Sequence, residues 1–129
     1  MDERELKART KRFALRVMQM GAALPKSIVG RAIGGQLVRC GTSVGANYRA
    51  ACRGRSKAEF IAKPGVVEEE ADEAAYWMEL IVEGKLLKEN VVQPLMHEAN
   101  ELALITRSSR LTAAGRNAIK NHQSKIENP

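Results

Sequence analysis

One spacing governs this chain: apolar residues recur every three or four positions through nearly all of its length, and no alternating strand pattern of useful length interrupts them. Leu6, Thr10, Phe13, Val17, Met20 and Leu24 follow a 4-3-4-3-4 rhythm, which places them on one face of an amphipathic helix. Pro25 disfavours helical backbone at Leu24, so a first helix is expected over about 2–22. A second is expected over about 26–54, stopped by Gly54. Ser56-Lys57-Ala58-Glu59 fits a capping box for a third, about 57–83, in which Phe60, Val67, Ala74 and Ile81 keep a seven-residue spacing. A fourth, about 89–107, tolerates Pro94 near its first turn and uses Leu95, Leu102 and Ile105. Four helices joined by connections of two to six residues predict an all-α, antiparallel up-down four-helix bundle over 1–111. The polar, basic tail 112–129 has no apolar stripe and is expected to fray.

The second helix is the informative one. It contains Gly30, Gly34, Gly35, Gly41 and Gly45, and each internal glycine costs about 0.8–1 kcal/mol relative to alanine. Something must offset that loss. At 100° per residue, Ser27, Gly30, Gly34, Gly41, Gly45 and Cys52 share an arc of about 60°. Beside it lies an apolar arc of Val29, Ile33, Leu37, Cys40, Val44, Tyr48 and Ala51. A row of glycines lets another backbone approach closely. Because the apolar arc already accounts for packing within the chain, the small arc is expected to form a subunit interface of a homo-oligomer. Tight packing inside one bundle is the alternative. A third arc carries Arg31, Arg39, Arg49 and Arg53 and continues into Arg55 and Lys57. Arginine suits bidentate contact with phosphate or carboxylate, so this arc is a candidate nucleic-acid track. The alternative is a solvated face, or arginines paired with the acidic run Glu68-Glu69-Glu70-Ala71-Asp72-Glu73.

Charge is segregated along the chain. Residues 1–55 hold 12 Lys/Arg against 3 Asp/Glu, residues 56–105 hold 4 against 11, and residues 106–129 hold 5 against 1, for a net charge of +6. Such blocks can pair with each other or leave one free for a polyanion. The features of an enzyme are missing. His97 and His122 lack the Glu-x-x-His spacing of di-metal bundles, and there is no His-Glu-x-x-His, P-loop or Gly-x-Ser-x-Gly. Glu69 and Glu73 read as a charged helix face, and Cys40 and Cys52 as core. No cofactor or metal is expected. The aromatics Phe13, Tyr48, Phe60, Tyr76 and Trp77 mostly fall on core stripes, so nucleic acid would be bound through phosphates and shape rather than base stacking. The charged start Met1-Asp2-Glu3-Arg4-Glu5 is unlike a signal peptide, no run is apolar enough to span a bilayer, and two cysteines make no disulfide framework. A cytoplasmic location is the expectation.

Three blocks carry a resemblance: Leu24 to Arg49, Ser56 to Lys63 and Glu69 to Leu80. Together they resemble the bacterial four helix bundle protein family, which includes proteins encoded in intervening sequences of 23S rRNA genes and is related to the accessory protein of diversity-generating retroelements. The resemblance spans about residues 6–107. It implies a four-helix protomer and a ring-shaped homopentamer, and it does not imply an enzyme. From the retroelement relatives it further implies a basic surface that engages RNA and a reverse transcriptase. Pro64 and Glu68 stand where apolar residues are typical of the family. A proline two turns into a helix costs about 3 kcal/mol, which predicts a bent third helix. The function expected from sequence is an RNA-binding or RNP-scaffolding homo-oligomer. The alternative is a structural oligomer whose basic arc meets the acidic helix of a neighbour.

Overall fold

The computed structural model describes the backbone of residues 1–54 and 57–127, and the side chains of 1–54 and 65–108. It contains four helices in sequence, α1 (Glu3–Ala23), α2 (Ile28–Cys52), α3 (Lys57–Glu83) and α4 (Glu89–Glu127), and no strand among the described residues. Asp2 caps α1, its carboxylate accepting from the Glu5 amide at 2.7 Å. Glu3 and Glu5 lie in the same turn, where the helix dipole favours negative charge. Leu24 is extended, as its following proline requires. Ser27 then starts α2, its hydroxyl accepting from the Gly30 amide at 3.1 Å. The capping box at Ser56 lies outside the described residues.

The exit from α3 departs from the simplest expectation. Gly84 marks the end in sequence, yet the left-handed residue is Lys85, at φ 56°. The Leu86 amide reaches back to the Ile81 carbonyl at 2.9 Å, the six-to-one bond of a Schellman cap. α3 itself runs unbroken from Lys57 to Glu83 through position 64; the side chain of Pro64 lies outside the described residues. α4 continues to Glu127 as helix, where the sequence predicts fading after Arg107 and a frayed tail. Its side chains beyond 108 also lie outside the described residues. Pro94 sits in the second turn of α4 and is exposed.

Consecutive helices pack extensively on one another, whereas α1 meets α4 only narrowly. The core is one cluster drawn from all four: Phe13 and Val17 of α1, Leu37, Cys40 and Val44 of α2, Val67, Met78 and Ile81 of α3, and Val92 and Leu102 of α4. The α1–α4 seam is closed by one arginine. Arg9 donates from Nε and Nη2 to both Glu98 oxygens at 2.7 and 2.6 Å, and from Nη2 to Glu101 at 2.6 Å. This bidentate pair is only 21% and 16% exposed on its two sides, where charge-assisted bonds are strong.

The small arc of α2 has an occupant within the chain, and that occupant is α1. A Cβ built on Gly41 would lie 2.6 Å from Val17 Cγ1, and one on Gly45 would lie 3.3 Å from the Thr10 hydroxyl. At Gly34 it would meet Leu24 at 3.2 Å, and at Gly30 it would collide with the Pro25 carbonyl. Gly30, Gly34, Gly41 and Gly45 are all buried in the single chain. Their assignment to a subunit interface is therefore corrected: Gly34, Gly41 and Gly45 are the floor on which α1 and its Leu24 cap lie, and Gly30 packs against Pro25 of the connection. Ser27 is an exposed cap, and Cys52 is half-buried beside Tyr48 and Glu3, where burial raises its thiol pKa. The physical reason is simple. A bundle helix has two neighbours; the apolar arc of α2 faces the core and α3, and the small arc faces α1. Val29, assigned to the apolar arc, is 56% exposed.

Candidate nucleic-acid interface

The four arginines on the basic arc of α2 do not share one fate. Arg39 is committed within the chain: its Nη2 donates to Glu73 at 2.5 Å, its Nη1 to Glu70 at 3.4 Å and its Nε to Gln36 at 3.2 Å. The carboxylates, Glu73 first, raise its pKa further. Pairing with the acidic run thus occurs at Arg39, and it occurs between α2 and α3 of one chain. Arg31, Arg49 and Arg53 are exposed, and no ion pair holds any of them among the described residues. Arg55 and the side chain of Lys57, the remaining candidates, lie outside the described residues.

α1 adds further cations beside the basic arc of α2. Arg4, Lys11 and Arg12 are exposed, and Lys7 is half-buried with a 3.0 Å bond to Glu3 one turn away. Exposed pairs of that kind contribute little. The α1–α2 hairpin therefore carries a net positive charge, its acidic residues Asp2, Glu3 and Glu5 being gathered at the start of α1. Most of the negative charge lies on α3 and α4: Glu68, Glu69 and Asp72 of α3 line a groove of about 420 Å³ against Asn100 and Arg107 of α4. Arg107 reaches Glu68 at 4.0 Å. The other acidic side of α3 is the one held by Arg39, and Glu73 also accepts from the Trp77 indole at 3.3 Å.

The residues weighed for chemistry at the sequence level are dispersed. Cys40 is buried, its thiol donates to the Leu37 carbonyl at 3.4 Å, and burial, reinforced by the Glu73 carboxylate, pushes its pKa up to about 12. His97 is 75% exposed, with Nε2 3.6 Å from Glu101. Glu69 is exposed, whereas Glu73 is bound to Arg39. Among the described residues no group of three or more His, Cys, Asp or Glu side chains is placed to hold a metal ion, and no helix is long and apolar enough to cross a membrane.

A family model described as 23S rRNA-intervening sequence protein matches residues 3–108. A crystal structure of a protein of unknown function from the S23 ribosomal protein family of Bacteroides thetaiotaomicron VPI-5482 is similar to this chain. The two share 28% sequence identity and a TM-score of 0.76, over 81% of this chain and 97% of that one. No curated protein matches the sequence significantly. The match runs from the first turn of α1 to residue 108 of α4 and takes in the glycine arc and all four helices of the bundle. The chain belongs to the 23S rRNA-intervening sequence protein family.

Proposed function

We propose that this chain is a non-enzymatic protein that assembles with copies of itself and binds RNA through its phosphates, serving as a scaffold in a ribonucleoprotein. One observation carries the RNA reading. Arg31, Arg49 and Arg53 stand exposed on α2 and its C-cap with no ion pair among the described residues, and the acids of the hairpin, Asp2, Glu3 and Glu5, are outnumbered by its lysines and arginines. Arginines kept apart from carboxylates are suited to phosphate. Sequence-specific reading of bases has no support in the exposed aromatics: Tyr76 is 51% exposed, but it lies on the acidic helix with its ring edge against Trp77.

Self-assembly rests on the family resemblance, with a homopentamer as the favoured form. Its surface must lie outside the glycine arc. Among the described residues, Leu15 and Met18 of α1, Ile28 and Val29 of α2, and Val91 and Leu104 of α4 are exposed apolar side chains open to it. A reverse transcriptase is a partner to test if the chain works within a retroelement. The measurement is RNA affinity against salt, with mass by light scattering. Three free arginines predict a log–log slope of about −2 to −3 per subunit, and assembly predicts a mass several times 14.2 kDa. An assembly without RNA affinity at low salt would favour the structural alternative, and a monomer at micromolar concentration would end the scaffold reading.

A further inference from the structure

Between α1 and α2, at the end of the hairpin where α1 begins and α2 finishes, lies an open groove of about 580 Å³. Cations rise on both of its sides, Lys7 and Lys11 from α1 and Arg49 from α2, and no acidic side chain lines it. Its floor is made of small groups, among them Ala14, Gly45 and Ala46. The packing explains the shape. Gly45 brings α2 close to Thr10, so the two backbones approach and nothing bulky fills the cleft above them. We infer that this groove seats the phosphodiester backbone of an RNA strand, with Lys7, Lys11 and Arg49 as its phosphate-binding residues.

The inference rests on the RNA-binding reading above and gives it a location. Lys7 and Lys11 are one turn apart, about 6 Å along the helix axis, so they can meet different phosphates of one strand while Arg49 grips from the opposite wall. Arg49 offers the planar fork suited to bidentate phosphate contact, and the lysines act as point charges. The groove is open to solvent, as a continuous chain needs. Lys7 is held only by Glu3, on the exposed first turn, and that exposed pair is readily exchanged for a phosphate. Arg31 lies elsewhere on the hairpin and is not part of this groove.

The test uses the full chain and a 20-nucleotide RNA, with affinity measured across a salt series. Lys11→Glu with Arg49→Glu is expected to weaken binding at least tenfold and to flatten the log–log slope by roughly 1.5 to 2. Lys26→Glu with Lys88→Glu makes the same change in net charge on exposed residues outside the groove and is expected to leave the slope within about 0.5 of the wild type. Ala46→Phe fills the floor without altering charge and is expected to weaken binding severalfold, with helicity unchanged by circular dichroism. Wild-type protein that fails to bind RNA at low salt overturns the RNA reading itself. Binding that persists equally in the groove pair and the control pair overturns the groove alone. Two further outcomes also overturn it: ATP binding as tightly as the RNA, which makes the groove a nucleotide pocket, and loss of the oligomer in the groove pair with RNA affinity intact, which makes its occupant a second copy.

Discussion

Gly41 and Gly35 lie less than two turns apart on α2, and replacing each with alanine should have opposite effects. Alanine lowers the cost of helix at either position by about 0.8–1 kcal/mol. At Gly35 the new methyl would meet nothing within 4 Å, so that gain is realised in full. At Gly41 it would lie 2.6, 2.8 and 3.0 Å from Val17 Cγ1, Cγ2 and Cβ. Val17 is fully buried and β-branched, so it has no alternative rotamer into which to withdraw. The strain must be taken up by moving α1, and overpacking of this kind costs about 1–3 kcal/mol. Because three atoms conflict, including Val17 Cβ itself, the upper half of that range applies and the net loss should be about 1–2 kcal/mol. With an unfolding entropy of about 2.1 cal/mol/K per residue, 1 kcal/mol corresponds to roughly 4 °C in a chain of this size. Calorimetry should find Gly35→Ala higher than wild type by about 3–4 °C and Gly41→Ala lower by about 4–8 °C. Val17→Ala combined with Gly41→Ala should be less destabilised than the sum of its parts, by about 0.5–3 kcal/mol. A Gly41→Ala protein as stabilised as Gly35→Ala, or a strictly additive double mutant, would refute the seating of α1 on the glycine arc.

Arg9→Met should destabilise the bundle by about 1.5–3 kcal/mol, since Glu98 would be left partly buried without its charged donor. Urea unfolding followed by circular dichroism reads that loss. The hydrogen bond from Arg9 holds the Glu98 carboxyl below its ordinary pKa. The stabilisation is therefore present above that value and lost as pH falls through the lower folded value, and Arg9→Met should flatten this acid-side decline. Lys85→Gly should raise stability by about 0.5–1 kcal/mol in the same assay, because only glycine adopts the left-handed backbone at this cap without cost. With a thiol reagent at pH 8, Cys52 should react before Cys40, which is buried and whose pKa is pushed up to about 12; simultaneous labelling in the folded state would contradict the burial of Cys40.

The helical class and the four elements are legible from periodicity alone, because each core stripe is long and regular: Leu6, Thr10, Phe13, Val17 and Met20 are buried as spaced. What a wheel of one helix leaves open is the identity of the neighbour. The glycine arc of α2 is visible in sequence as a surface made for close approach, but a second subunit and α1 ask for the same residues. The deciding contacts, Gly41 to Val17 and Gly45 to Thr10, join positions more than twenty residues apart. At Arg39 the structure shows the alternative, pairing with the acidic run, for a related reason. This residue sits on the basic arc by angle, yet its long side chain reaches over the edge to Glu70 and Glu73. Lys7 and Lys11 lie on α1, and a groove is a property of two helices that a wheel of α2 alone does not contain. An exposed pair four residues apart on α1 was the available signal. The extension of α4 to Glu127 had none, since its polar sequence carries no stripe for periodicity to detect.

The narrow meeting of α1 with α4 has a consequence for how the chain comes apart. α2, α3 and α4 pack in succession, while α1 is joined to them along the glycine arc and, on the far side, by Arg9. Lifting α1 breaks one extensive helix interface and the narrow seam with α4, whereas freeing α2 or α3 breaks two extensive interfaces. α1 is thus the unit of lowest opening free energy, and its amides should exchange with solvent together and earlier than those of α3. The cleft it leaves is lined by Gly34, Gly41 and Gly45, which any α1 of this sequence fits equally well. A second copy at high concentration can supply that helix, giving an exchanged dimer that holds every contact of the monomer except those of the Leu24–Ser27 connection.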